Sequence, residues 1–211
     1  IAVVVIFQPE MRKALENLGR KNILVNLFNF DFNKVENGKF SDKTITELVK
    51  ACYEMGKVKT GALIVVEDEI VLTEYERTGI AVDGILTSQL LINIFEHNTP
   101  LHDGAVIVRE NRIVAATCYL PLSDNMELSK QLGTRHRAGV GISEQTDSVT
   151  IIVSEETGQV SVAQNGRLIR GVSSAKLREI LVRAQNKQVV DNSKLRHLLK
   201  GRMKHEEEKT H

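Results

Sequence analysis

Short apolar runs of strand length, separated by turn residues, decide how this chain is able to fold. Gly61 to Val66, Ala105 to Val108, Ile113 to Cys118, Val149 to Ser154 and Gln159 to Ala163 all fall in the range of about four to eight residues that suits a strand. The turn Glu110-Asn111-Arg112 joins one pair of these runs into a hairpin, and Glu155-Glu156-Thr157-Gly158 joins another. Gly61 to Val66 is apolar without alternation, as expected of a strand covered on both faces. Ile70 to Glu74 is expected to pair with it across a charged turn.

Helical spacing occupies the intervals. Ile45, Leu48, Val49 and Cys52 form the apolar stripe of a helix over Thr44 to Met55, with Thr44 and Glu47 as a capping box and Gly56 as its stop. Thr87 or Ser88 caps a helix carrying Leu90, Leu91, Ile94 and Phe95, which ends before Pro100. Further helices are predicted over Leu132 to Ser143, at Leu177, Ile180, Leu181 and Ala184, and at Leu195, Leu198 and Leu199. Strands and helices intermix, but neighbouring strands often connect by tight turns. The expected class is therefore α/β of the mixed α+β kind: a single domain with a central mixed β-sheet flanked by helices, not a regular βαβ repeat.

The ends read differently. Ile1 to Phe7 is apolar and precedes Gln8-Pro9, and Met11, Leu15 and Leu18 then recur at helical spacing. A membrane-spanning helix needs roughly 20 apolar residues, so Ile1 to Phe7 is either a buried strand or helix turn, or the stub of a removed membrane helix. A first residue other than Met predicts a cut or processed chain, and nothing resembles a signal peptide. Residues 29–43 are polar and read as a loop or linker. The expected division is 1–20 as an N-terminal juxtamembrane segment and helix, 21–200 as the main domain, and 201–211 as a polar, disordered tail.

Charge and composition exclude several functions. Twenty-eight Lys and Arg against twenty-seven Asp and Glu give a formal net charge of +1, so there is no global field for a nucleic acid polymer and an anion site must be built locally. An aromatic content of 4% without Trp offers no stacking platform for single strands. Cys52 and Cys118 alone make neither a disulfide framework nor a four-cysteine zinc site, in keeping with a reducing compartment. The GxxxxGK[ST] phosphate loop, the GxSxG elbow and HExxH are missing, and Gly139-Val140-Gly141 lacks the third glycine of a dinucleotide fingerprint.

Two segments carry candidate chemistry. Leu101-His102-Asp103-Gly104-Ala105 puts an acid at a strand entrance, followed by residues small enough for a ligand to approach the backbone. It reads equally as a turn capped by Asp103. Gly133-Thr134-Arg135-His136-Arg137 opens a helix, where free N–H groups, a hydroxyl and cationic side chains suit phosphate oxygens. Successive helical residues project about 100° apart, so Arg135 and Arg137 do not both point at one phosphate, and a solvated basic turn is the plain alternative. Ser154-Glu155-Glu156 is ordinarily a solvated hairpin tip, and becomes a source of metal-binding oxygens only if the fold brings it to Asp103. His97 and His102, five residues apart, are not expected to form a zinc site.

Together, LHDGAVIV (101–108), GTRHRAGVGISEQTD (133–147) and IIVSEETGQVSVAQNG (151–166) resemble the diadenylate cyclase domain, whose hallmarks Asp-Gly-Ala and Arg-His-Arg stand here as Asp103-Gly104-Ala105 and Arg135-His136-Arg137. The Gln8-Pro9-Glu10 start and residues 15–20 look like the membrane-bound CdaA type, and Gly139 stands where that pattern has alanine. The resemblance implies that 21–200 is a catalytic domain of a nucleotidyltransferase that joins two ATP into cyclic di-AMP, a second messenger of bacterial signalling, at the interface of a face-to-face homodimer. It implies Asp103 as the catalytic group and, with His102 and Glu156, as a ligand of Mg²⁺ or Mn²⁺. It implies nucleotide contacts from Gly104, Ala105, Tyr119, Leu120, Thr134, Arg135, His136, Arg137 and Ser154. It also implies a regulatory protein partner and a cell-membrane location, the catalytic domain cytoplasmic and held by an N-terminal segment.

Overall fold

Seven strands form one mixed sheet in the order β2-β4-β3-β1-β5-β6-β7, where β1 is Ala62–Val66, β2 Ile80–Ile85, β3 Ala105–Arg109, β4 Arg112–Cys118, β5 Val149–Val153, β6 Val160–Gln164 and β7 Arg167–Ile169. The computed structural model describes residues 39–126, 128–129 and 132–185, all within one compact unit that begins at Asn37. The helices are α1 Asp42–Lys57, α2 Thr73–Glu76, α3 Ser88–Phe95 and α4 Thr134–Gln145, followed by α5 over 174–185. The Ile1 to Phe7 run, the Met11 to Leu18 helix, the Leu195 to Leu199 helix and the 201–211 tail lie outside the described residues.

Helices cover both faces of the sheet. One core packs Ile45, Leu48 and Cys52 of α1, Leu91, Ile94 and Phe95 of α3, and Leu177 and Leu181 of α5 onto Ile64, Val106, Ile151 and Val153. The other packs Ala138, Val140 and Ile142 of α4, with Leu72, onto Leu63, Val65, Ile107 and Ile152. Alternate residues of β1 thus enter opposite cores, which is why its sequence is apolar without interruption. Burial of a side chain of this kind stabilises the fold by about 1.5–3 kcal/mol.

Three expectations are corrected. Ile70 to Glu74 does not pair with β1, because β3 runs parallel on one side of it and β5 antiparallel on the other. Leu72 is instead buried, and Thr73–Glu76 turns into α2. The helix placed at Thr44 begins at Asp42, and Ser41 caps it by accepting from the Thr44 amide at 3.2 Å. Glu47 therefore takes no part in a capping box. Its carboxylate accepts from the Ser88 amide at 2.6 Å, which ties α1 to α3 and holds its pKa below the usual value. Thr87 caps α3 as one of the two residues expected.

Candidate active site

Strand directions gather the sequence motifs at one end of the sheet. Because β1 and β3 are parallel, Gly61 and Gly104, which precede them, lie at the same end. The antiparallel registers Ala105↔Cys118 and Ala62↔Val153 bring the ends of β4 and β5 to that end as well. Tyr119 and Leu120, Asp103 and Gly104, Gly61, and Ser154 thus succeed one another across four adjacent strands, spaced by roughly 4.8 Å per strand. The acidic strand entrance and the cationic helix start share this end.

At the acidic entrance, backbone geometry is unusual. Gly104 has φ +113°, and a Cβ there would lie 2.7 Å from the Thr117 carbonyl carbon. Thr117 itself has φ +57°, rare for a β-branched residue, at a register shift where β4 carries an extra residue against β3. The bulge is held in place by Gly79, which passes close to the Ala116 carbonyl and the Cys118 side chain, and by Thr78 Oγ1, which accepts from the Tyr119 amide at 2.9 Å. Asp103 is exposed and has no hydrogen-bond or ion-pair partner among the described residues. His102 Nδ1 lies 2.6 Å from the Thr99 carbonyl; a carbonyl only accepts, so Nδ1 donates this bond and Nε2 is left without a partner among the described residues. Ala105 is fully buried, backbone included. Tyr119, just past the end of β4, is 75% exposed.

The cationic side is a cavity of about 60 Å³ between the start of α4, the β5–β6 turn and the residue after β7. Thr134, Arg135, His136, Ser154 and Glu156 all line it, whereas Arg137 does not. No side chain caps α4 at Gly133; the His136 and Arg137 amides donate to the Gly133 carbonyl, which leaves those of Thr134 and Arg135, both residues of the cavity lining, without an acceptor among the described residues. Arg135 donates to Glu155 at 2.5 Å, and this pair lies over Gly61, where a Cβ would come within 2.9 Å of both groups. His136 is 9% exposed. Burial holds its imidazole below the usual histidine range, Arg170 pushes it further down, and Glu156 opposes them.

Among the described residues no group of three His, Cys, Asp or Glu side chains converges on a metal position. Within one chain His102, Asp103 and Glu156 therefore do not form a three-residue set: Glu156 belongs to the cavity and the other two to the strand entrance. His97, set aside as a zinc ligand, does pack edge-on against His102 with ring centroids 5.5 Å apart.

The family model for the nucleotide-binding domain of the bacterial checkpoint controller DisA (DAC) matches residues 49–168. The cyclic di-AMP synthase CdaA of Bacillus subtilis is 50% identical over 96% of this chain and 72% of its own length. The chain belongs to the diadenylate cyclase family. A diadenylate cyclase of Listeria monocytogenes is also 50% identical, over 87% of this chain and 65% of its own length. Among solved structures, DacA from Staphylococcus aureus, a double mutant, matches with TM-score 0.67 and 50% identity over 68% of this chain and 96% of that one. A hypothetical membrane spanning protein from Bacillus cereus matches with TM-score 0.61 and 35% identity over 81% of this chain and 80% of that one.

Gly139, the departure from the cyclase pattern, sits where α4 presses on β5: a Cβ there would lie 2.9 Å from Ile152 Cδ1. The residue is set by packing, away from the cavity lining. Two features of the site were missed in the sequence: Gly61, under the Arg135–Glu155 pair, and Arg170 in the cavity lining. Gly61 shares with Gly104 a Gly-Ala step into an apolar run, and that repeated signature marks both parallel strands. Arg170 follows β7 and belongs to no motif.

Proposed function

We propose that this member of the family condenses two ATP molecules into cyclic di-AMP, releasing two pyrophosphates, where two copies of the chain face each other. What supports the reading most is the meeting of Asp103-Gly104 and the start of α4 at one end of the sheet, together with half-identical relatives named for this activity. A nucleoside triphosphate needs both environments: cations and free amides for its phosphates, and a shaped backbone with an acid beside its ribose. One chain offers one such site, so joining two nucleotides requires a second copy opposite.

In this reading Tyr119 and Leu120 pack on the adenine and Gly104 lets the ribose approach the backbone. Thr134, Arg135, His136 and Ser154 take the phosphates, while Arg137, outside the cavity lining, serves the second nucleotide or the facing copy. Asp103 accepts the proton of the 3′-hydroxyl as that oxygen attacks the α-phosphorus of the other ATP. The P–O bond to pyrophosphate breaks as the new ester forms. Such chemistry depends on positioning and charge stabilisation more than on covalent help from the protein.

The free Nε2 of His102 beside the exposed carboxylate of Asp103 is a donor set suited to Mn²⁺ or Mg²⁺, with Glu156 on the cavity side of the nucleotide. When bound, such an ion neutralises charge on the phosphates. Among the described residues no helix is long and apolar enough to cross a membrane. An N-terminal anchor within or before 1–20, a cytoplasmic catalytic domain and a regulatory protein partner complete the proposal.

Asp103→Asn is the direct test. Incubated with ATP and Mn²⁺, the variant should lose cyclic di-AMP formation by about 10²–10⁴-fold, the usual contribution of a general base, while binding ATP. Mass spectrometry of the product and calorimetry of ATP binding read the two quantities. An unchanged rate removes Asp103 from the mechanism.

A further inference from the structure

We propose that Arg170 forms the third wall of the phosphate cavity and grips the terminal phosphates of ATP, the portion that departs as pyrophosphate. The assignment rests on the cyclase reading above and adds a residue that lies just past the matched family segment, 49–168.

Position comes from the sheet. β7 pairs with β6 through Val162↔Ile169, so Arg170, one residue on, returns beside Ser161 and lines the cavity with it, opposite the start of α4. Its charge reaches into that space, since it acts on the His136 imidazole.

Charge balance shows why it is needed. Two arginines, Arg135 and Arg170, and two glutamates, Glu155 and Glu156, line the cavity. Arg135 is already paired with Glu155, and the buried imidazole is held toward its neutral form. Without Arg170 the lining would carry net negative charge and repel a polyphosphate. Arg170 has no ion-pair or hydrogen-bond partner among the described residues and is exposed, so its guanidinium is available to a ligand. His136, 9% exposed and in the same wall, makes no side-chain hydrogen bond among the described residues. A planar fork suits paired phosphate oxygens better than an ammonium does.

The test compares wild type, Arg170→Ala and Arg170→Lys at constant ionic strength. Calorimetry measures binding of inorganic pyrophosphate, a non-hydrolysable ATP analogue and AMP, and a parallel assay follows cyclic di-AMP. Loss of one charge-assisted contact predicts about 10-fold weaker binding of pyrophosphate and of the analogue in Arg170→Ala. AMP binding should stay as in wild type, and Lys should recover part of the loss. Above about pH 7, where His136 is neutral in both states, the unfolding midpoint should not move, because the side chain is exposed. Unchanged pyrophosphate affinity in Arg170→Ala, or equal weakening of AMP and the analogue, overturns the assignment. If wild type forms cyclic di-AMP in either case, the cyclase reading survives that result; if wild type forms none, the cyclase reading itself falls.

Discussion

The two ends of the sheet carry the same kinds of residue in opposite states. At the end where β1 and β3 finish, Glu67 accepts from Arg109 Nε at 2.7 Å, from Arg109 Nη2 at 3.0 Å and from the Leu72 amide at 2.8 Å. Arg109 reaches Glu76 as well, at 2.7 Å. This network raises the Arg109 pKa above its ordinary value, the Glu67 hydrogen bonds being the main cause. At the other end, among the described residues, Asp103 has no partner, His102 is bonded at one ring nitrogen only, and the His136 ring makes no hydrogen bond. Saturated charges fix a fold; charges left over are what a substrate can use. Both thiols belong with the fixed groups, burial pushing Cys52 up to about 12 and Cys118 up to about 11.

The sharpest way to break this contrast is Gly104→Ala. The new Cβ would meet the Thr117 backbone at 2.7 Å in a conformation with φ +113°. Backbone atoms cannot swing aside as a side-chain tip can, so the strand entrance must shift. The expected cost is about 2–4 kcal/mol of stability from overpacking and the unfavourable φ. Cyclic di-AMP formation should fall at least 10²-fold under conditions where the variant remains folded, because a displacement of this size misplaces Asp103. Urea unfolding and product assays measure both. Wild-type turnover would show that the entrance is not shaped around a ligand.

Glu67→Gln probes the opposite end with a smaller and differently distributed effect. The change keeps the shape of the side chain but leaves a nearly buried site without its charge beside Arg109. We expect a loss of about 1–3 kcal/mol in unfolding free energy, with ATP affinity and turnover within about twofold of wild type, since additive behaviour is usual for sites well apart. A large fall in ATP binding would mean that the two ends are coupled and that the contrast is not one between fold and function.

The same distinction explains what could be read from the sequence. β1, β3, β4, β5 and β6 announce themselves because strands covered on both faces are mostly apolar. The edge strands do not: Ile80–Ile85 includes Asp83 and Gly84 and is half exposed, and Arg167–Ile169 has three residues. The neighbours of β1 were not legible either. Its parallel pairing with β3 joins segments about forty residues apart in the chain, and Ile70 to Glu74 looked nearer only in sequence. At the candidate site the two motifs stood out as motifs, but facing depends on helix phase and tertiary contact. Arg135 lines the cavity and Arg137 does not, although both flank the same histidine. Arg170 left no signal at all, because a lone arginine after a three-residue strand acquires meaning only once β7 has folded back beside β6.

The smallest expected effect, and a sensitive one, is the pH response of His136. Burial lowers its affinity for a proton in the folded protein, Arg170 adds to this, and Glu156 partly offsets it. The unfolded chain, with an ordinary histidine near 6.5, therefore takes up a proton before the folded one as pH falls. Stability from this residue is fully present above about 6.5 and is lost as pH descends through the lower folded value. The slope is at most that of one proton, so it emerges only as a difference between proteins. His136→Gln should lose less stability than wild type between pH 7 and pH 5 in urea unfolding, and Arg170→Ala, which removes one of the two depressing influences, should fall between them. Parallel curves for all three would place His136 with the saturated groups of the far end rather than with the open ones at the cavity.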